Sequence, residues 1–222
     1  MRGTITATVN VGGESATTTQ TRTQDGFAGI TPTAVPAAAG ELTTRTTATV
    51  GVITTATAPV ATGEKAILTW TDAAGNLKHR YNVDCVVTDV TSSSGSSGAD
   101  ASYTIAVSGG TGDDLPAAAY DINVALQYDA NVTFDFDDMD LFVVTTNVRG
   151  VVVFLDATDT EKCVVDMNTQ GLAMWLKASG FPAPISGTPV THALFGSGST
   201  ATTNFTPKVL GLYDATYATS GT

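Results

Sequence analysis

Four aspartates lie close together at positions Asp135, Asp137, Asp138 and Asp140. Alternation in Val132–Asp137 predicts a strand with Asp135 and Asp137 on one face and phenylalanines on the other. Carboxylates placed in this way could bind Ca²⁺, which accepts oxygen ligands in flexible geometry. The spacing does not fit the D-x-D-x-D-G-x₅-E loop, and Glu is absent nearby. We therefore predict a solvated polar face and no metal site, with a calcium site at the four aspartates as the alternative.

Neither histidine has the neighbours that catalysis requires. His79 lies between Lys78 and Arg80 at the start of a predicted strand, so we expect it at the surface. For His192, in an apolar stretch, we expect a half-buried imidazole. No G-x-S-x-G elbow accompanies either residue. The sequence therefore predicts a protein that is not an enzyme, with no catalytic residues.

Two further motifs have simple structural interpretations. The glycine-rich stretches 109–112 and 196–198 contain no Lys and precede no predicted helix, so they predict flexible turns rather than phosphate-binding loops. No cofactor is therefore expected. The triplet Lys78, His79 and Arg80 is the only tight basic cluster, and it is a candidate contact for an acidic partner or simply the end of a hairpin.

The two cysteines, Cys85 and Cys163, lie far apart in the sequence, each in an apolar run. No C-x-x-C pair or nearby His supports a zinc site. We predict two small buried side chains in strands. Whether the two cysteines form a disulfide is left undecided, since that depends on their distance and geometry in the fold.

Composition narrows the class of protein. Only 14% of the 222 residues are charged, and the remaining polarity comes largely from Thr, Ser, Asn and Gly, which is typical of a β-rich surface. The net charge of −11 disfavours direct binding to nucleic acid. No apolar run approaches the ~18 residues of a membrane span, and the first residues lack the apolar core of a signal peptide. We expect synthesis in the cytoplasm, a soluble chain and no membrane partner.

Short strand patterns separated by turns predict an all-β fold, an antiparallel β-sandwich or barrel. We divide it into an extended N-terminal arm or edge strand (1–40), a small barrel or sandwich (41–128) and a second β-sandwich (129–222). A hairpin turn is predicted at Asp72–Asn76, and one short helix at Leu172–Ala178. The predicted strands are Thr4–Val11, Glu41–Ile53, Lys65–Trp70, His79–Val90, Ala101–Val107, Tyr120–Asp129, Val132–Asp137, Leu141–Thr146, Val151–Leu155, Cys163–Met167, Val190–Phe195 and Lys208–Tyr213.

Three stretches, Glu41–Thr46, Tyr81–Val83 and Gly109–Pro116, together resemble small virion proteins of tailed phages, in particular capsid decoration or cement proteins. The resemblance covers residues 41–128 and extends weakly to the C-terminal Leu212–Asp214. It implies a structural role on the virion, at the capsid surface, with the major capsid protein and further copies of the chain as partners, commonly in a trimer. It supplies no functional residues.

Two other structural roles compete with this one. A tail-tube or head–tail connector subunit would need long hairpins and an outer helix, for which Leu172–Ala178 is the candidate. A carbohydrate-binding adhesin or fibre domain would need exposed aromatic side chains, for which Trp70 and Trp175 are the candidates.

Overall fold

The computed structural model describes the backbone of residues 2–11, 14–23, 27–30, 35–92, 101–129, 139–167, 171–176, 192–198, 206 and 208–213. These residues form strands and the turns between them, and no helix occurs in the described part of the chain. The all-β prediction is therefore confirmed. The strands are β1 (Arg2–Val11), β2 (Glu14–Thr23), β3 (Phe27–Ile30), β4 (Ala37–Arg45), β5 (Val50–Thr55), β6 (Lys65–Thr71), β7 (Leu77–Ser92), β8 (Ala101–Gly112), β9 (Tyr120–Leu126), β10 (Tyr128–Asp129), β11 (Met139–Thr145), β12 (Gly150–Leu155), β13 (Glu161–Met167), β14 (Leu172–Leu176), β15 (His192–Ser197) and β16 (Lys208–Tyr213).

Six strands form a closed antiparallel barrel in the order β4-β5-β8-β7-β6-β9, and β9 pairs with β4 to close it. Side chains fill the barrel interior, because every second residue of a strand points inward. In β5, for example, Gly51, Ile53 and Thr55 are buried while their neighbours are partly exposed. The interior is a single hydrophobic cluster, made of Leu42, Ile53, Val60, Ala66, Leu68, Trp70, Val83, Cys85, Ile105, Val107, Leu115, Ile122 and Val124.

Strand β6 departs from this alternation, since its five central residues are all buried. Leu68 belongs to the barrel interior, whereas Ile67 belongs to a second cluster outside the barrel. That cluster also contains Tyr81 of β7, with Val151 and Leu194 from later in the chain. The outer face of β6 is therefore covered by another layer.

The covering layer is a four-stranded antiparallel sheet in the order β10-β15-β12-β13, which we call the second sheet. Its strand β12 is buried at every position, which explains the uninterrupted apolar run from Val151 to Leu155. Gly196 of β15 lies directly over β6, because a Cβ atom at this position would be 2.6 Å from the Cβ of Ile67. Glycine is thus required there by close approach rather than by flexibility.

Two further groups of strands complete the described structure. A third sheet has the order β14-β11-β16-β3 and brings Phe27–Ile30 of the N-terminal region against the C-terminal strand β16. Strands β1 and β2 form a two-stranded ribbon with ten paired positions, from Arg2↔Thr23 to Val11↔Glu14. We call this pair the N-terminal ribbon. Its predicted turn, Gly12-Gly13, lies outside the described residues.

The hairpin predicted at Asp72–Asn76 is confirmed. The Asp72 carboxylate accepts hydrogen bonds from the backbone N–H groups of Ala74 and Asn76, both at 2.9 Å. Gly75 has a φ of 87°, the left-handed conformation that glycine adopts without strain. These contacts lower the pKa of Asp72, chiefly through its hydrogen bonds to Asn76.

Three local predictions are wrong. The predicted strand Glu41–Ile53 is two strands, because Thr46 and Thr47 donate backbone hydrogen bonds to Val50 and turn the chain without Gly or Pro. The glycine stretch 109–112 is the end of β8 rather than a loop. In the stretch 196–198, Gly196 and Ser197 belong to β15.

The predicted helix Leu172–Ala178 is also wrong. Residues Leu172–Leu176 form strand β14, which pairs with β11 from Leu141↔Leu176 to Thr145↔Leu172. Five residues make little more than one helical turn, so ladder hydrogen bonds to β11 override a weak helical preference. Positions 177 and 178 lie outside the described residues, as does the predicted strand Val132–Asp137.

Because Gly196 contacts Ile67 so closely, Gly196→Ala is expected to lower the free energy of unfolding by about 1–3 kcal/mol through overpacking. Gly198→Ala is the matched control, since its Cβ would lie 3.6 Å from Leu77, an ordinary contact. Urea denaturation of the two variants measures the difference. Equal stability of the two would show that β15 does not press on β6 as described.

Candidate functional site at the junction of the barrel and the second sheet

The basic triplet at the start of β7 lies where the barrel meets the second sheet. Lys78 and His79 share Asp113 as a partner, whereas Arg80 binds backbone carbonyls. Lys78 Nζ is 3.3 Å from Asp113 Oδ1, and both side chains are about one third exposed. The backbone N–H of His79 donates to Asp113 Oδ2 at 3.1 Å. Asp113, which follows β8, therefore fixes the position of the first residues of β7.

Arg80 is 5% exposed and donates only to backbone carbonyls in the described structure. Its Nε donates to Gly109 O at 2.6 Å, and its Nη2 donates to Gly110 O at 2.7 Å. Its Nη1 donates to Asp113 O at 2.8 Å and to Gly112 O at 3.3 Å. The guanidinium thus holds the end of β8 against β7 and is unavailable to an acidic partner outside the molecule.

The glycines of this segment are required by the same arrangement. Gly109, Gly110 and Gly112 have φ values of 72°, 78° and 116°, which side-chain-bearing residues rarely adopt. A Cβ at Gly110 would lie 2.6 Å from the Tyr81 carbonyl oxygen, and one at Gly112 would lie 2.5 Å from that of His79. The glycine stretch 109–112, predicted as a flexible turn, therefore has a fixed conformation that binds the Arg80 side chain; we call this the Arg80 cradle.

His79 connects the barrel to the second sheet. Its Nε2 lies 3.2 Å from Glu161 Oε2 in β13, and its Nδ1 lies 3.8 Å from Asp113 Oδ2. The ring stacks on Tyr81 with centroids 6.2 Å apart and planes 8° apart. Its side chain is 14% exposed, so the predicted surface location is wrong. No sequence pattern indicates the contact with Glu161, because Glu161 lies 82 positions further along the chain.

Tyr81 is fully buried and belongs to the hydrophobic cluster between the barrel and the second sheet. Its hydroxyl oxygen makes no hydrogen bond of good geometry within the described part of the chain. Burial raises the pKa of Tyr81 to about 12, and the negative charge of Glu161 adds to this. The phenol therefore stays protonated and neutral across the physiological range.

The turn between β12 and β13 positions Glu161. One oxygen of Asp156 accepts hydrogen bonds from the backbone N–H groups of Thr158 at 2.8 Å and Thr160 at 3.0 Å. Its other oxygen lies 2.8 Å from Lys162 Nζ. The bond to Lys162 and those to Thr158 hold the pKa of Asp156 well below its usual range. A fixed turn thus places the first residue of β13 beside His79.

A second polar contact crosses the same junction. Thr69 of β6, which is fully buried, donates from Oγ1 to the Ser197 backbone oxygen at 3.0 Å. Asn123 of β9 lies beside it, with Nδ2 3.4 Å from both Thr69 O and Thr69 Oγ1. These buried polar groups fix the register of β15 over the barrel, since leaving one unpaired costs about 1–3 kcal/mol.

The predicted acidic cluster does not join this site within the described structure. Asp135, Asp137 and Asp138 lie outside the described residues. Asp140 is in β11 at a register shift, where Met139 pairs with Tyr213 and Leu141 with Leu212. Among the residues described, no group of three or more His, Cys, Asp or Glu side chains could hold a metal ion. The calcium alternative stays a prediction.

The other candidate residues are dispersed. Both cysteines are free and lie in strands, with Cys85 buried and Cys163 only partly buried. Trp70 is 4% exposed inside the barrel, so it cannot serve as an exposed glycan-binding aromatic. His192 and Trp175 occupy register positions opposite Leu155 and Phe142.

Comparison with known proteins found no matching family model, no similar curated protein and no similar solved structure. Within the part of the chain that the structure describes, no helix is long and apolar enough to cross a membrane. What the junction can do must therefore be judged from its geometry. Both ring nitrogens of His79 face carboxylates of the same chain, and the ring stacks on Tyr81, so neither nitrogen is directed at a substrate position. The arrangement fastens two layers together.

Arg80→Lys is expected to lower the free energy of unfolding by at least about 2 kcal/mol, because an ammonium cannot reach the four carbonyls that the guanidinium fork satisfies. Lys78→Met, which removes a partly exposed ion pair, is expected to cost no more than about 1 kcal/mol. Chemical denaturation checks both values. A cost for Arg80→Lys as small as that for Lys78→Met would contradict the Arg80 cradle.

Burial raises the pKa of the Cys85 thiol from 9.0 to about 12. Above about pH 9 the unfolded chain therefore binds fewer protons than the folded chain, and stability falls as the pH rises. Between about pH 9 and 10, below the range in which Tyr81 contributes, this thiol lowers the free energy of unfolding by up to about 1.4 kcal/mol for each pH unit. Cys85→Ala should reduce that slope, as measured by urea denaturation at several pH values. An unchanged slope would show that Cys85 is not the group responsible.

Proposed function

We propose that this chain is a non-enzymatic structural component of a tailed-phage virion, and specifically a capsid decoration (cement) protein that binds and stabilises the outer capsid surface. Its partners are the major capsid protein and other copies of itself, in a homotrimer. Nucleic acid and membrane are not partners in this proposal. The protein is made in the host cytoplasm and ends on the virion.

The observation that carries this proposal is the N-terminal ribbon. Its strands β1 and β2 pair with each other over ten positions and with no other strand among the described residues. An isolated two-stranded ribbon is at best marginally stable in water. A ribbon of this length, about 33 Å at ~3.3 Å per residue, gains stability by lying on another surface. That is how an arm bridging neighbouring subunits of a shell would behave.

Two other features support a scaffold role. The ionisable side chains at the junction bind one another or backbone carbonyls, so they are committed to holding the layers together. The three stretches that resemble decoration proteins, Glu41–Thr46, Tyr81–Val83 and Gly109–Pro116, all fall in the barrel or the turns that join its strands. The acidic net charge suits a surface that must not bind the packaged DNA.

A tail-tube or connector subunit is the second candidate, and one observation favours it. Two long hairpins, β1–β2 and β7–β8, occur among the described strands, and tube subunits use long hairpins to build a continuous inner barrel. The outer helix that this role was expected to use is strand β14 instead. The adhesin alternative keeps only Trp175 as a candidate aromatic, since Trp70 is buried.

Labelling of particles tests the proposal. Antibodies raised against the protein are applied to purified virions of a phage that encodes it, and gold particles are located by electron microscopy. We expect label on the capsid shell and a lower temperature of capsid rupture in a phage from which the gene is deleted. Label along the tail would favour the tube subunit, and absence of label from every part of the virion would overturn the virion role.

A further inference from the structure

Among the described residues, one edge of strand β7 is unpaired over a long stretch. On one side it pairs with β8 as far as Ser92↔Ala101. On the other side its pairing with β6 ends at Asp84, and the last backbone bonds are those that join Cys85 to Glu64 and Gly63. Among the residues that the structure describes, no strand pairs with this edge from Val86 to Ser92. These seven positions, about 23 Å at ~3.3 Å each, present backbone groups that can accept another strand.

The edge Val86–Ser92 carries one charged residue, Asp89, and lies in an acidic part of the chain, whereas the N-terminal ribbon is slightly basic. The sequence from Tyr81 to Val148 contains eleven aspartates and no Lys, Arg or Glu, so the whole net charge of −11 resides there. The ribbon carries Arg2 and Arg22 against Glu14, a net charge of +1. Two copies of the acidic segment repel each other, whereas the ribbon can approach that segment without repulsion.

The exposed side of the same strand also has apolar character. Val86 is 43% exposed, one of two large hydrophobic residues that are so exposed among those described. In β1, alternate positions are apolar, namely Ile5, Ala7, Val9 and Val11. A strand added beside Val86 would therefore bring apolar positions to an apolar neighbour in addition to forming a ladder of hydrogen bonds.

We propose that the N-terminal ribbon of one copy adds to the free edge of β7, residues Val86–Ser92, in a second copy of this chain. The occupant is a second copy because the ribbon and β7 of the same chain do not pair in the described structure. The contact makes each copy both donor and acceptor, so repetition around a symmetry axis closes a ring. This inference rests on the proposed function only in treating the contact as part of an assembly.

Absolute mass in solution, measured by light scattering on the full-length chain, tests this contact with three variants. The first lacks residues 1–24. The second variant is Val87→Pro. Cys85 directs its N–H and carbonyl toward the side of β7 where β6 lies. Because backbone direction alternates along a strand, the Val87 N–H points to the same side, at a level where β6 no longer pairs with β7. Proline removes that donor while leaving the ladder to β8 in place. The third, Ala73→Pro, is the control, in a turn at the opposite end of the barrel that accepts proline.

We expect a discrete oligomer for the unmodified chain and for Ala73→Pro, and the mass of a monomer for the other two variants. Should Val87→Pro fail to fold by circular dichroism, Asp89→Lys replaces it, with Asp121→Lys as the charge-matched control, and only the former should weaken association. A monomeric unmodified chain, or an oligomer that survives the edge variant, overturns the inference. An oligomer that behaves as expected, together with negative labelling of virions, would leave the contact standing and remove only the virion role.

Discussion

The outer face of β6 carries an apolar residue that must be shielded from water, and the packing of the second sheet on the barrel follows from this requirement. Ile67 lies outside the barrel, and Gly196 of β15 lies directly above it without a side chain between them. Burial of the apolar cluster around Ile67 and Tyr81 supplies the main stabilisation of this junction, since each buried large side chain contributes about 1.5–3 kcal/mol. Thr69 and Ser197 then fix one register out of several that apolar contact alone would allow.

Charged groups at the junction contribute differently. The partly exposed pair Lys78–Asp113 contributes little to stability, because solvent screens it. Arg80 matters more, since its guanidinium is buried and satisfies carbonyl groups that would otherwise lack partners. His79 and Glu161 join β7 to β13 and so orient the edge of the second sheet. The basic triplet, which in the sequence suggested an external contact, thus acts within the molecule.

The sequence predicted the class of fold and most strands, because alternation and apolar runs are local signals. Lys65–Trp70 and Val151–Leu155 match β6 and β12 to within a residue. It did not predict that Leu172–Leu176 is a strand, since only pairing with β11 decides this. Nor did it predict the junction, where His79 meets Glu161 and Thr69 meets Ser197 across 82 and 128 positions. Such pairings depend on topology, and no local pattern encodes them.

We propose that the barrel and the second sheet form a self-sufficient core, whereas the N-terminal ribbon requires a partner. Hydrogen exchange measured along the backbone tests this most directly, with the protein diluted to its monomer and again in its assembled form. We expect the amides of β1 and β2 to exchange far faster than those of β6 in the monomer and to become protected on assembly. Ribbon amides as slowly exchanging as those of β6 in the monomer would contradict it, because the ribbon would then be stabilised within its own chain.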